Sequence, residues 1–187
     1  MTRPKTVVAI VGLPTSGKTM LGRALAKATG IHFVDIDDGP ASCAPPREED
    51  PYRSAESRER EKSRMSIAYN VLLATIEQNL KQGNSIIVAA AYTRSSYYEF
   101  LRGVVGKGGG YLMVIQCRYN DTVDEIERRI AGRLLKGAIG GCRSVSHYLD
   151  DRSRYENPSF PHIVVMMEGG EEGLRTALDQ AFAYINA

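Results

Sequence analysis

Short apolar runs alternate with amphipathic segments along the chain. Residues 6–11 are almost continuously apolar and rich in β-branched side chains, which is typical of a strand buried on both faces. Similar runs predict four further strands, at 32–36, 85–91, 111–117 and 162–167. Because parallel neighbouring strands need crossover connections, the alternation predicts a three-layer α/β/α fold in which a five-stranded parallel sheet lies between helices.

The segment between the second and third predicted strands has two parts. Residues 39–53 combine prolines with many charged side chains and are expected to be irregular. Residues 54–82 predict a long helix, in which an apolar stripe at helical spacing begins only at Met65. Because the earlier part of this helix is charged on every face, it is expected to be exposed to solvent.

Composition indicates one globular domain with a small-molecule partner. The chain has 187 residues, 43% of them hydrophobic and 25% charged, which suits a single domain over residues 1–187. Its formal net charge of +2 provides no strong field for nucleic acid or a membrane, so neither partner is expected.

Cys43, Cys117 and Cys142 form no disulfide or metal-ligand pattern and are expected to be reduced. The pattern shows no signal peptide or membrane span, so we expect a cytoplasmic monomer or homodimer.

Residues 12–19 match the phosphate-binding pattern GxxxxGK[ST] between a strand and a helix, as its mechanism requires. In such a loop, backbone N–H groups and the positive end of the helix dipole surround phosphate oxygens. Lys18 can follow the β- and γ-phosphates of ATP, and the Thr19 hydroxyl can bind Mg²⁺. The residues predicted to hold the nucleotide in this segment are Gly12, Leu13, Pro14, Thr15, Ser16, Gly17, Lys18, Thr19 and Met20.

Two acidic residues, Asp35 and Asp37, lie at the end of the second predicted strand. Strand alternation places them on one face, at the carboxyl end where ligands bind in parallel sheets. Asp35 is the predicted metal ligand or proton acceptor for an attacking hydroxyl group, and Asp37 is the predicted substrate ligand. The alternative is that these carboxylates only end a strand and begin a turn.

Arg129 and Arg133 lie four residues apart on a predicted helix that ends at a glycine-rich break. This arrangement predicts a lid over about residues 134–147. One arginine can stack on the nucleotide base, and the other can neutralise charge on the transferred phosphoryl group. Surface ion pairs within the helix are the alternative explanation.

The stretch VVAIVGLPTSGKTMLGRALAKATGIHFVDIDD resembles the opening of the P-loop small-molecule kinases, particularly shikimate-kinase-like enzymes and related AAA-type kinases. The resemblance implies that Asp35 serves Mg²⁺ or the hydroxyl proton and that Asp37 binds the substrate. The motif RIAGR is similar to the lid arginines of adenylate kinase and its relatives. That similarity implies that Arg129 stacks against adenine and that Arg133 meets phosphate.

The predicted acceptor site departs from this family after the third strand. Ala89–Arg94, with the sequence AAAYTR, lacks the acidic residue of many P-loop enzymes and the three glycines of shikimate kinases. The resemblance implies a substrate arm over residues 39–64, in which Arg58 is a candidate substrate ligand. A solvated helix face with i,i+4 ion pairs is the alternative for each arginine of the arm. Arg94 is predicted to hold an anionic substrate.

These features predict an ATP-dependent kinase that transfers the γ-phosphoryl group to a hydroxyl group of a small polar metabolite. Lys18, Asp35 and Arg133 are the predicted catalytic residues, with ATP and Mg²⁺ as cofactors. One alternative is a kinase of the same fold that acts on a nucleotide or sugar nucleotide, as zeta-toxin-like kinases do. Another alternative is a nucleotide-binding ATPase or switch without a small-molecule acceptor.

Overall fold

The structure is a computed structural model that describes residues 5–46, 48, 54–92, 94–135, 142–168 and 170–187. The predicted arm and lid lie partly outside these ranges, at 47, 49–53 and 136–141. Within the described ranges, no helix is both long enough and apolar enough to cross a membrane.

In the part of the chain that the structure describes, each strand is followed by one or two helices. In chain order they are β1 (Thr6–Val11), α1 (Lys18–Thr29), β2 (His32–Asp35), α2 (Gly39–Ser42), α3 (Ala55–Lys81), β3 (Ile86–Ala89), α4 (Ser95–Lys107), β4 (Tyr111–Arg118), α5 (Val123–Leu135), α6 (Val145–Ser153), β5 (Ile163–Met166) and α7 (Gly170–Asn186). The strands form one parallel sheet in the order β2-β3-β1-β4-β5. The predicted α/β fold with a five-stranded parallel sheet is therefore confirmed.

The central strand β1 divides the apolar core between the two faces of the sheet. Val7 and Ala9 belong to a core cluster that includes residues of α3 and α4. Val8 and Ile10 belong to a second cluster that includes residues of α1 and α7. All four side chains are fully buried, and burying a valine or isoleucine contributes about 1.5–3 kcal/mol. Burial on both faces explains why the strand is apolar at successive positions.

The register of the sheet brings the carboxyl ends of neighbouring strands to one edge. Ile10 of β1 and Asp35 of β2 both align with Ala89 of β3. Strand β4 pairs with β1 on its other side, also in parallel. The residues that follow these strands therefore meet at this edge, where the loop 12–17 joins β1 to α1.

The segment after β2 is less irregular than predicted. Gly39–Ser42 form the short helix α2, with Pro40 in its first turn. Proline is well tolerated in the first turn of a helix, because the backbone N–H groups of that turn have no partner within the helix. The prediction of irregular structure from residue 39 onwards is wrong for these four residues.

The first half of α3 is more buried than its charge pattern predicts. Ser57, Glu61 and Arg64 are buried, whereas this part of the helix was predicted to be exposed to solvent. Arg64 donates to both carboxylate oxygens of Glu61, at 2.8 and 3.1 Å. Pairing with good geometry offsets much of the cost of removing two charges from water, which is why a charged face can be buried.

Candidate active site

The loop between β1 and α1 requires glycine at two positions. Gly12 and Gly17 have φ angles of 139° and 90°. A Cβ atom on Gly12 would lie 2.4 Å from the carbonyl oxygen of Cys117, and one on Gly17 would lie 2.8 Å from Cε of Met167. The Cys117 oxygen belongs to the backbone of β4, so Gly12 is needed for space as well as for backbone conformation. The Met167 side chain is flexible, so at Gly17 the positive φ angle is the main reason for glycine.

The tip of this loop is held by Tyr119 and Arg129. Thr15 has a φ angle of 64°, and its hydroxyl oxygen lies 2.8 Å from the hydroxyl oxygen of Tyr119. Arg129 donates hydrogen bonds to the carbonyl oxygens of Thr15, at 3.1 Å, and Met167, at 3.0 Å. Its guanidinium carbon lies 4.1 Å from the centre of the Tyr119 ring, a cation–π contact. Arg129 therefore braces the loop, and its contact with adenine stays a prediction.

The Lys18 ammonium group folds back over the loop. It donates hydrogen bonds to the carbonyl oxygens of Gly12, at 3.0 Å, and Leu13, at 2.7 Å. Burial lowers the pKa of Lys18, and the positive charge of Arg133 acts in the same direction, whereas the Asp35 carboxylate opposes it. The charges of Lys18 and Arg133 thus interact, and an anion bound between them would stabilise both.

Thr19 and Asp35 form the polar centre of the site. Thr19 Oγ1 donates to Asp35 Oδ2 at 2.5 Å, and the backbone N–H group of Asp37 donates to Asp35 Oδ1 at 3.0 Å. Asp35 is only 6% exposed, so its carboxylate is a buried and oriented charge. A carboxylate beside a hydroxyl group supplies the oxygen ligands that Mg²⁺ prefers. The side chains present therefore fit the predicted metal ion.

A cleft of about 2040 Å³ lies over the loop at the carboxyl edge of the sheet. The predicted site residues that line this cleft are Pro14, Thr15, Gly17, Lys18, Thr19, Met20, Asp35, Asp37, Arg58, Arg94, Arg129 and Arg133. The other predicted loop residues lie behind its surface. Leu13 packs against a small cluster of α5 and α6 side chains, and Ser16, like Gly12, is buried. One cleft therefore contains the predicted nucleotide, metal and substrate residues.

Arg58 and Arg94 reach the cleft from different elements. Arg58 lies in the first half of α3, and Arg94 immediately precedes α4. Both residues are exposed to solvent, so their guanidinium groups are accessible to a ligand in the cleft. Their positive charges are compatible with an anionic ligand, and the substrate role of each stays a prediction.

Several cleft residues were not predicted from the sequence. Met167 and Glu168 follow β5 at the edge where the other strands end. Ligands bind at the carboxyl ends of parallel strands, so the reasoning that predicted Asp35 could also have identified these two residues. Tyr69 and Tyr97 line the cleft from α3 and α4. No short motif marks these two tyrosines, because their proximity depends on how two helices pack.

A family model described as an AAA domain matches residues 7–139. The matched part runs from β1 through α5. It therefore includes the phosphate-binding loop, the Thr19–Asp35 pair and both predicted lid arginines.

Relatives with kinase names share parts of this sequence or its fold. A gluconokinase from Arabidopsis thaliana is 29% identical over 106 residues, which cover 52% of this chain and 48% of that protein. The chain thus spans about half the length of this curated relative. The structure of a sugar kinase from Janibacter sp. HTCC2649 has 18% identity and a TM-score of 0.67, with coverage of 98% of this chain and 95% of that chain. A gluconokinase from Sinorhizobium meliloti 1021 has 22% identity and a TM-score of 0.63, with coverage of 100% and 97%. The shared fold confirms the predicted resemblance to P-loop kinases.

Proposed function

The chain belongs to the AAA domain family, and from this premise we propose that it is an ATP-dependent kinase of small polar metabolites. The γ-phosphoryl group of ATP is transferred to a hydroxyl group of the acceptor. The observation that carries this proposal is the 2.5 Å contact between Thr19 Oγ1 and Asp35 Oδ2, beside the phosphate-binding loop and inside the cleft. A hydroxyl–carboxylate pair at this position can serve the nucleotide's metal ion and the acceptor hydroxyl together.

In this proposal, Lys18 and Arg133 stabilise the phosphoryl group during transfer. Lys18 exchanges the carbonyl oxygens of Gly12 and Leu13 for phosphate oxygens, so its ammonium charge replaces weak neutral partners with anionic ones. Arg133 lines the same cleft and interacts electrostatically with Lys18. Positive groups that contact the phosphoryl group as negative charge develops stabilise the transition state.

Thr19 and Asp35 are the proposed Mg²⁺ ligands. When bound, Mg²⁺ neutralises and orients the phosphates. Each carboxylate oxygen of Asp35 accepts one hydrogen bond, from Thr19 or from the Asp37 N–H group, and each retains a further lone pair. Asp35 can therefore hold a metal ion or accept the acceptor's hydroxyl proton.

The proposed acceptor carries hydroxyl groups and a negative charge. Arg58 and Arg94 line the cleft, and Asp37 adds a carboxylate that can accept hydrogen bonds from hydroxyl groups. Gluconate, the compound in the name of two relatives, has both a carboxylate and hydroxyl groups. In this proposal residues 39–64 are the substrate arm and about residues 134–147 are the lid.

Measurement of ADP formation against a panel of polar metabolites tests this function. We expect turnover that depends on one acceptor class and is lost in Lys18→Ala. Asp35→Asn should lower the acceptor-dependent rate by about 100-fold or more, because the carboxylate charge is lost. Asp38→Asn is the matched control, since Asp38 is an exposed acid whose contact is a 3.6 Å ion pair with Arg23.

Two results would contradict parts of this proposal. A full acceptor-dependent rate in Asp35→Asn would remove Asp35 from the chemistry. ATP hydrolysis that is independent of every acceptor would favour the ATPase or switch alternative.

A further inference from the structure

Two stacked tyrosines form part of the cleft wall. Tyr69 of α3 and Tyr97 of α4 both line the cleft. Their ring centres are 4.3 Å apart and their planes differ by 12°, so the rings are stacked face to face with little tilt. Because Tyr69 is buried and covers one face of the Tyr97 ring, the flat apolar surface that this pair can offer a ligand is the other face of Tyr97.

The position of Tyr69 is fixed by three further features. Its hydroxyl oxygen accepts a hydrogen bond from the backbone N–H group of Tyr92 at 3.0 Å. The Tyr92 ring meets the Tyr69 ring edge-on, with centres 5.5 Å apart and planes at 64°. Tyr69 is only 6% exposed, and burial raises its pKa, so the hydroxyl group stays neutral. Tyr69 is therefore a rigid support for the half-buried ring of Tyr97.

Backbone strain accompanies this arrangement. Tyr92 has a φ angle of 48°, a left-handed conformation that is costly for an aromatic residue. The side chain of Tyr92 is buried, and its backbone N–H group donates a hydrogen bond to the Tyr69 hydroxyl oxygen. The strained residue lies just after β3, within the segment AAAYTR, and two positions before Arg94.

The stacked pair lies near the groups proposed to act on the acceptor. Asp37 lines the same cleft as Tyr69 and Tyr97. Arg94 lies three positions before Tyr97 and also lines the cleft. Asp37 in turn donates its N–H group to Asp35, at the centre of the proposed transfer site. A flat apolar surface, a positive charge and the transfer site thus occur in one cleft.

We propose that Tyr97, supported by Tyr69, is the binding surface for the acceptor's ring and that the acceptor is therefore a cyclic hydroxylated anion. The C–H face of a sugar-like ring packs on the outer face of Tyr97, while Arg94 binds its carboxylate or phosphate group. An open-chain polyol offers no rigid ring face and would lose conformational freedom to make the same contact, so it should bind more weakly. This inference rests on the proposed kinase function, and it selects a substrate class within that function.

Calorimetric titration of the full chain with three probes tests the inference. Glucuronate is a cyclic carboxylate, glucose 6-phosphate is a cyclic phosphate, and gluconate is an open-chain carboxylate. We expect at least one cyclic probe to bind about tenfold more tightly than gluconate, a factor equivalent to about 1.4 kcal/mol. The comparison of the two cyclic probes identifies the anionic group.

Variants of Tyr97 identify the contact. Tyr97→Ala and Tyr97→Leu should each remove the preference for the cyclic probe, whereas Tyr97→Phe should keep it because the flat ring remains. Tyr97→Leu retains apolar packing, so it separates binding from folding. Phe100→Ala is the matched control, since Phe100 is an aromatic residue of the same helix and is 63% exposed. Tyr69→Phe should raise KM for the cyclic acceptor with little change in kcat.

Three results would overturn the inference: gluconate binding as tightly as the cyclic probes, no measurable binding of either cyclic probe, or a preference that survives in both Tyr97→Ala and Tyr97→Leu. Failure of the kinase function has a different signature. In that case the cyclic probe would still bind through Tyr97, but the γ-phosphate of ATP would be released only as inorganic phosphate.

Discussion

Thr19 occupies the position where the nucleotide, the metal ion and Asp35 meet. Thr19→Val keeps the shape of the side chain but removes the hydroxyl group that donates to Asp35 Oδ2. We expect a loss on the order of 100-fold in kcat/KM and a weaker dependence of activity on Mg²⁺ concentration. Titration of activity with Mg²⁺ at fixed ATP measures both effects.

A second threonine of the same helix provides the control. Thr29 lies at the end of α1, where its hydroxyl group donates to the carbonyl oxygen of Leu25 at 2.8 Å. Thr29→Val should retain the Mg²⁺ dependence of the wild type. Equal losses in Thr19→Val and Thr29→Val would show that the effect comes from helix stability and not from the metal site.

Arg129 contributes to the stability of the loop as well as to the cleft. Arg129→Ala removes its hydrogen bonds to the carbonyl oxygens of Thr15 and Met167 and its contact with the Tyr119 ring. We expect a loss of about 1.5–3 kcal/mol in the free energy of unfolding, and Arg129→Lys should recover little of it. Urea denaturation measures the change.

The neighbouring Arg128 is the matched control for Arg129. Both arginines donate to Glu125, but the Arg128 side chain is 71% exposed. Exposed ion pairs add little stability, so Arg128→Ala should have a much smaller effect. If the two alanine variants were equally unstable, the contacts of Arg129 with the loop would not be the stabilising ones.

At the residue scale, the sequence predicts side chains whose positions depend on local structure. Lys18 and Thr19 follow directly from the strand–loop–helix pattern, and Asp35 from its place at the end of β2. Tyr97 and Tyr69 could not be predicted in this way. Their contact joins two helices that are separated by β3, and neither helix carries a pattern that specifies the other.

The helix α3 offers a test of burial with two ion pairs of the same spacing. Glu61 and Arg64 are each 8% exposed, whereas Glu59 and Lys62 are 69% and 58% exposed. Glu61→Leu removes the carboxylate that accepts hydrogen bonds from the buried guanidinium group of Arg64. Because this leaves a buried charge without that partner, we expect a loss of about 3 kcal/mol in unfolding free energy. Glu59→Leu should cost little, because exposed pairs contribute less than about 1 kcal/mol.

Denaturation of both variants, and of Glu61→Leu combined with Arg64→Met, measures this difference. The double variant should regain part of the loss, because it removes both buried charges. A loss in Glu61→Leu no larger than in Glu59→Leu would contradict the buried position of this pair.

The helix α5 has a contribution to stability that depends on pH. Hydrogen bonds from Arg128 and Arg129 lower the pKa of Glu125 from 4.5 to about 2. Because the pKa of Glu125 is lower in the folded state than in the unfolded state, the ionised carboxylate stabilises the fold. This stabilisation is fully present above pH 4.5 and is lost as the pH falls towards 2. The fall in unfolding free energy between pH 5 and pH 3 should therefore be smaller in Glu125→Gln than in the wild type.

Glu127→Gln, a substitution at an exposed position of the same helix, is the control for this pH dependence. It should show the same fall as the wild type over this range. An unchanged pH dependence in Glu125→Gln would contradict the pairing of Glu125 with the two arginines.

At the element scale, periodicity predicts where helices and strands begin and end, because the spacing of apolar residues is itself a local property. The long helix was expected at 54–82 and is Ala55–Lys81. Periodicity does not predict what packs against a charged face. The burial of Glu61 and Arg64 depends on other parts of the chain, and so the first half of α3 was wrongly expected to be solvated.

For the whole molecule, the alternation of strands and helices predicts the parallel sheet and the edge at which ligands bind. The strand order β2-β3-β1-β4-β5 does not follow from alternation, because the right-handed crossover rule permits several orders. The order is important for function, since it places β3 between β2 and β1. As a result, Ala89 at the end of β3 lies between Ile10, which is separated from the phosphate-binding loop by one residue, and Asp35.

The destination of the γ-phosphate distinguishes a kinase from an ATPase or switch. The wild-type chain is incubated with Mg²⁺ and ATP labelled in the γ-phosphate, with and without a panel of cyclic and open-chain hydroxy acids. We expect the label to appear in a phosphate ester of an acceptor, and we expect Lys18→Ala to abolish this transfer. Label that appears only in inorganic phosphate, at a rate that no acceptor changes, would contradict the assignment as a kinase.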